Sequence, residues 1–187
     1  MRTITKCLLA AVLTATALFS PAVAQTAAAQ IWSNIASSCV LDSASTAKAD
    51  VNTGFGTVSF KGAKLGRIRL TCPISGIFVG GAGPYDSTGL VVSLYDNDGR
   101  GTACGVRAAL LRSNLDAHEG GRDIVDFDSN TDFAIIEEST GRITGHVSVP
   151  ETLQDGGGYY WVQLELVRSS TSCNPVAVGA HLVRFTS

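Results

Sequence analysis

The sequence predicts an all-β protein, a single antiparallel β-sandwich or jelly-roll-like domain of about eight or nine strands. Three observations lead there. Apolar residues recur with period two, the segments that show this are short, and Gly- and Asp-containing turns separate them with no long helical period between. Twenty glycines and a mean hydropathy near zero suit a compact strand-and-turn chain.

The first element is not part of that domain. Arg2 and Lys6 form a short basic stretch, residues 7–19 are apolar or small, and Ser20-Pro21 ends the run. Ala22-Val23-Ala24 then supplies the small residues that signal peptidase requires, so residues 1–24 are expected to be a signal peptide cleaved before Gln25. The apolar run of 13 residues is short of the roughly 20 that a spanning helix needs. Residues 25–187 form the expected domain, with 25–38 loosely ordered.

Cleavage changes the charge and the cysteine count. The whole chain has 14 basic and 16 acidic residues. Loss of Arg2 and Lys6 leaves 12 against 16, a net charge of −4. This balance gives no reason to expect nucleic acid or an anionic membrane as partner. Of five cysteines, Cys39, Cys72, Cys104 and Cys173 remain, an even number suited to two disulfides in an oxidising compartment. No Cys-x-x-Cys pair occurs, so zinc would need scattered ligands. Of the three pairings, Cys39–Cys72 with Cys104–Cys173 is expected, because the first pair sits in one N-terminal module. The chain-entropy model gives each about 3–4 kcal/mol.

The strands follow in order. Thr57-Val58-Ser59-Phe60 alternates, and Lys61-Gly62-Ala63-Lys64 turns the chain. In residues 66–72, Ile68, Leu70 and Cys72 share one face, and Arg67, Arg69 and Thr71 the other. Residues 90–95 form a strand, and Asp96-Asn97-Asp98-Gly99-Arg100-Gly101 reads as a hairpin connection to an antiparallel return over 102–111. A helix over 107–112 is the rival there. Residues 123–128, 133–137 and 142–149 are further strands. In 159–168, Tyr160, Val162, Leu164 and Leu166 face the core, and 176–185 is the terminal strand. An outer-membrane barrel would need aromatic girdles, and aromatic residues make up only 7% of the chain.

Gly54-Phe55-Gly56, the 66–73 segment, the Tyr95–Gly99 turn and Tyr159-Tyr160-Trp161-Val162 together resemble small exported bacterial proteins of unassigned function. The resemblance runs from about Trp32 to the end. It implies a compact β fold and a bacterial exported location, and brings no functional residues.

Candidate sites are then weighed residue by residue. Asp96 and Asp98 could bind calcium, but an EF-hand register would place Leu94 and Gly105 at its first and twelfth positions, so the plainer reading is a turn. Asp126 and Asp128 share one strand face with Cβ atoms about 7 Å apart. They could serve a hydrolase, or form a solvent-facing stripe across from Arg67 and Arg69. Glu137 and Glu138 face opposite ways. His118, His146 and His181 have no ligand spacing. Ser75 lies in no nucleophile elbow, and the Gly80–Gly83 stretch lacks the Lys-Ser/Thr of a phosphate loop. Among the aromatics Trp32, Tyr85, Tyr159 and Trp161, the last two stand at i, i+2 opposite the core face. If uncovered, they make a platform for a sugar ring. The function this predicts is an exported, non-enzymatic binding or structural β-sandwich, periplasmic or extracellular, with a glycan or cell-envelope component as partner. An exported hydrolase using Asp126 and Asp128 and a calcium-stabilised module are the alternatives. No other cofactor is expected.

Overall fold

The computed structural model describes residues 28–74, 87–113, 122–132, 134–137, 142–149 and 159–185. Residues 1–24, expected to be a signal peptide, and Ser75, the Gly80–Gly83 stretch, Tyr85, His118 and Glu138 lie outside them. Twelve strands are described: β1 Ala28–Ile35, β2 Val40–Leu41, β3 Ala49–Asn52, β4 Thr57–Phe60, β5 Gly66–Pro73, β6 Ser87–Tyr95, β7 Cys104–Ser113, β8 Arg122–Asp128, β9 Ala134–Glu137, β10 Arg142–Val149, β11 Tyr159–Arg168 and β12 Val176–Phe185. A one-turn helix α1, Ser43–Thr46, starts on Asp42, whose carboxylate accepts the Ser45 N–H at 2.7 Å.

The strands form two antiparallel sheets. One has five strands in the order β2-β5-β11-β7-β8; the other has seven, β3-β4-β12-β6-β10-β9, with β1 also paired to β12. Their inner faces meet in a single core. Ile68, Leu70, Val106, Leu110, Phe127, Val162, Leu164 and Leu166 come from the smaller sheet, and Trp32, Val58, Phe60, Leu90, Val92, Leu94 and Leu182 from the larger. Each such side chain contributes about 1.5–3 kcal/mol on burial. The period-two readings of β5 and β11 hold residue for residue, and 107–112 is strand rather than helix.

Two expectations are corrected. The strand count exceeds eight or nine because β1, β2 and β3 carry little strand signal of their own; the 28–38 segment is a paired strand followed by a 3-10 turn rather than a loose lead-in. Gly179 explains part of this: a Cβ there would sit 2.5 Å from the Asn34 carbonyl oxygen, so glycine lets β1 close on β12. The second correction concerns 96–101. The turn exists, with Gly99 at φ 63, but it is not a hairpin. β6 pairs with β10 and β12, whereas β7 pairs with β11 and β8 in the facing sheet. A turn's chemistry is local; the sheet its flanking strands join is not.

Both disulfides pair as expected. Cys39–Cys72, with Cα atoms 4.5 Å apart, ties the 3-10 turn to the inner face of β5. Cys104–Cys173, with Cα atoms 6.2 Å apart, ties the start of β7 to the loop before β12. Two disulfides suit an oxidising environment outside the cytosol. No helix among the described residues is long and apolar enough to cross a membrane.

Candidate functional site

The outer face of the five-stranded sheet brings the sequence-predicted residues together. Its registers set side chains in rungs across four strands. Arg69 on β5 stands opposite Glu165 on β11, Glu165 opposite Arg107 on β7, and Arg107 opposite Asp128 on β8. The next rung reads Thr71, Gln163, Ala109, Asp126, and the one after it Pro73, Trp161, Leu111, Asp123. A bulge in β8, between its pairings to Leu110 and Leu111, keeps Asp123 on this face with Asp126 and Asp128.

The first rung is a charge ladder. Arg69 Nε donates to Glu165 Oε2 at 2.6 Å, Arg67 Nη1 lies 3.4 Å and Arg107 Nη1 3.8 Å from Glu165 Oε1, and Arg107 Nε donates to Asp128 Oδ2 at 2.7 Å. Asp128 Oδ1 also accepts the Asn130 N–H at 3.0 Å. Asp128 therefore pairs with Arg107 rather than facing Arg67 and Arg69, which lie across β11 and β7 and converge on Glu165. Arg69 is held charged, its guanidinium pushed above its ordinary value by the Glu165 hydrogen bond. Over Ala109, beside this rung, lies a shallow depression of about 390 Å³, lined by Gln163, Asp126 and the ladder. Asp126 is exposed and has no partner among the described residues.

The aromatic rung is partly open. Tyr159 is 69% exposed, and Trp161 is half-buried between Pro73 and the buried Leu111. Sequence reasoning missed Glu165, Gln163 and Arg107. A signal for the first two existed: in period two, Gln163 and Glu165 continue the Tyr159–Trp161 face.

Asp96 and Asp98 lie elsewhere, at the β6–β7 crossover. Asp98 Oδ2 accepts the N–H groups of Ala103 and Cys104 at 2.8 and 3.1 Å, and Asp96 Oδ2 accepts the Ser129 hydroxyl at 2.6 Å. Both remaining oxygens sit 3.2 Å from Cys104 Sγ. Asp96 is buried, and that burial pushes its carboxyl up to about 6; the Ser129 hydroxyl opposes the shift and Asp98 adds to it. Asp98, Cys104 and Cys173 approach one another within 4.8 Å, but the sulfurs are joined to each other and offer no thiolate. Calcium takes six to eight oxygens. Among the described residues the side chains here bring two carboxylate oxygens beside the Cys104–Cys173 disulfide. Of the histidines, His181 stands on β12 opposite Ser33 and Val91, and His146 on β10 opposite Val91, both in the other sheet.

No protein-family model matches the chain, and neither does any curated protein.

Proposed function

We propose that the protein is an exported glycan-binding module, working in the periplasm or outside the cell, with its site on the outer face of the five-stranded sheet. The observation that carries this is the adjacency of the two rungs: a half-buried Trp161, flanked on its outer side by the exposed Tyr159, borders a polar rung of Thr71, Gln163 and Asp126. Sugar rings offer an apolar face that stacks on aromatics and a rim of hydroxyl donors. Trp161 supplies the first contact. The Asp126 carboxylate and the Gln163 amide accept from the rim. The disulfides support an oxidising location.

Binding fits this face better than hydrolysis. Asp128 has both oxygens engaged, by Arg107 and by the Asn130 N–H. Asp126 stands beside it on an open strand at the sheet edge rather than across a cleft, so the two cannot flank a scissile bond.

Affinity electrophoresis of the mature protein in gels containing soluble polysaccharides tests the reading. Retardation by at least one polysaccharide is expected, with Trp161→Ala weakening it about tenfold, equivalent to about 1.4 kcal/mol. Asp126→Ala should weaken it in the same direction. Retardation that is identical in wild type, Trp161→Ala and Tyr159→Ala would place the binding elsewhere.

A further inference from the structure

The charge ladder sets three guanidiniums against two carboxylates, and what it shows to solvent is more cationic than that count. Glu165 and Asp128 side chains are only 12% and 18% exposed, whereas Arg67, Arg69 and Arg107 are 56%, 47% and 48% exposed. The carboxylates are recessed beneath the guanidiniums that bind them, so an approaching ligand meets cations. Glu165 takes one nitrogen from each of three arginines, and only Arg107 places a second, on Asp128. A guanidinium has five N–H donors in a planar fork. The surplus donors of Arg67 and Arg69 point outward from adjacent outward positions of β5, a geometry suited to oxyanions.

Resting on the glycan reading above, we infer that the ligand is an acidic glycan: a sugar ring stacks on Trp161 while an anionic substituent, a carboxylate or a sulfate or phosphate ester, engages the Arg67–Arg69–Arg107 cluster. Trp161 and Glu165 are four residues apart on one strand, about 13 Å. One sugar residue cannot span that gap, so the site takes an oligomer. Asp126, without a partner among the described residues, sits at the β8 side and sets direction: the anion lies over β5, β11 and β7, and hydroxyls face Asp126. Glu165 fixes the forks in place, and Arg67 and Arg69 contact the ligand.

Four polymers separate the terms: polygalacturonate, the same polymer fully methyl-esterified, dextran sulfate and dextran. Titration of the mature protein should show polygalacturonate or dextran sulfate bound at least tenfold tighter than its uncharged counterpart, and which of the two wins identifies the oxyanion. Affinity for the charged polymer should fall as salt is raised, while affinity for the uncharged one stays flat. Arg67→Gln with Arg69→Gln should erase the preference for charge and keep the weaker, Trp161-dependent binding. The salt titration on wild type needs no variant and guards against a misfolded double mutant. Equal, Trp161-dependent affinity for charged and uncharged forms would overturn the acidic inference and leave the glycan reading standing. No binding to any of the four would overturn both.

Discussion

Asp96 shows how one buried group sets a pH response. Burial raises its folded pKa to about 6, above the ordinary carboxyl value of 3.8, so folding favours the protonated acid. The stability this contributes is fully present below about pH 4 and is lost as pH rises through about 6. Asp42 has the opposite sign: the Ser45 hydrogen bonds hold its carboxyl below its ordinary value, so its contribution is present at neutral pH and lost in acid. Asp96→Asn keeps an oxygen to accept the Ser129 hydroxyl and removes the charge. We expect it to melt higher than wild type at pH 7.5 and to match wild type at pH 3. Thermal melts at the two pH values measure the difference; a variant less stable at both would show that the carboxylate is needed for the crossover. None of this was legible in the sequence, where Asp96 reads as one more turn aspartate. Its burial comes from the crossover between sheets.

Among elements, β11 organises the domain. It is the middle strand of its sheet, its inner face fills the core, and its outer face carries the site. The same period two that placed Tyr160, Val162, Leu164 and Leu166 inward placed Tyr159, Trp161, Gln163 and Glu165 outward, so both faces could be read from residue order. The rungs could not, because the partners of Glu165 depend on registers with β5 and β7 that no local pattern encodes. Likewise β1, Ala-rich at its start, is a strand because β12 pairs with it and not because its residues prefer one. At the end of β11, Arg168 is buried and donates to the carbonyls of Gly62, Lys64, Ser170 and Thr171, with its guanidinium 5.9 Å from the Phe60 ring centroid. It pins two loops to the core edge. Arg168→Ala strands those carbonyls and should cost about 2–4 kcal/mol. Urea unfolding reads this as a lower midpoint at unchanged slope.

At the scale of the whole molecule, the disulfides complement the core. The sandwich packs sheet against sheet, but β2 pairs with β5 through only two residues, Val40 and Leu41. Cys39–Cys72 closes a separation of 33 residues there, and Cys104–Cys173 closes one of 69 across the β6–β7 and β11–β12 ends. The chain-entropy model assigns about 3.7 and about 4.4 kcal/mol to loops of these lengths. Together, at about 8 kcal/mol, they match the 5–15 kcal/mol of net stability typical of a single domain. Removing Cys104 and Cys173 together as serines should therefore cost slightly more than removing Cys39 and Cys72. Replacing all four should leave a chain that is marginally folded at best at 37 °C. Denaturant unfolding of the two double variants and the quadruple variant checks the order and the sum. A larger loss from the Cys39 and Cys72 pair would mean that anchoring the weakly paired β2 edge outweighs loop length. A quadruple variant as stable as wild type would mean that the two-sheet core holds the fold without covalent help, and the oxidising compartment would then no longer be a condition for folding.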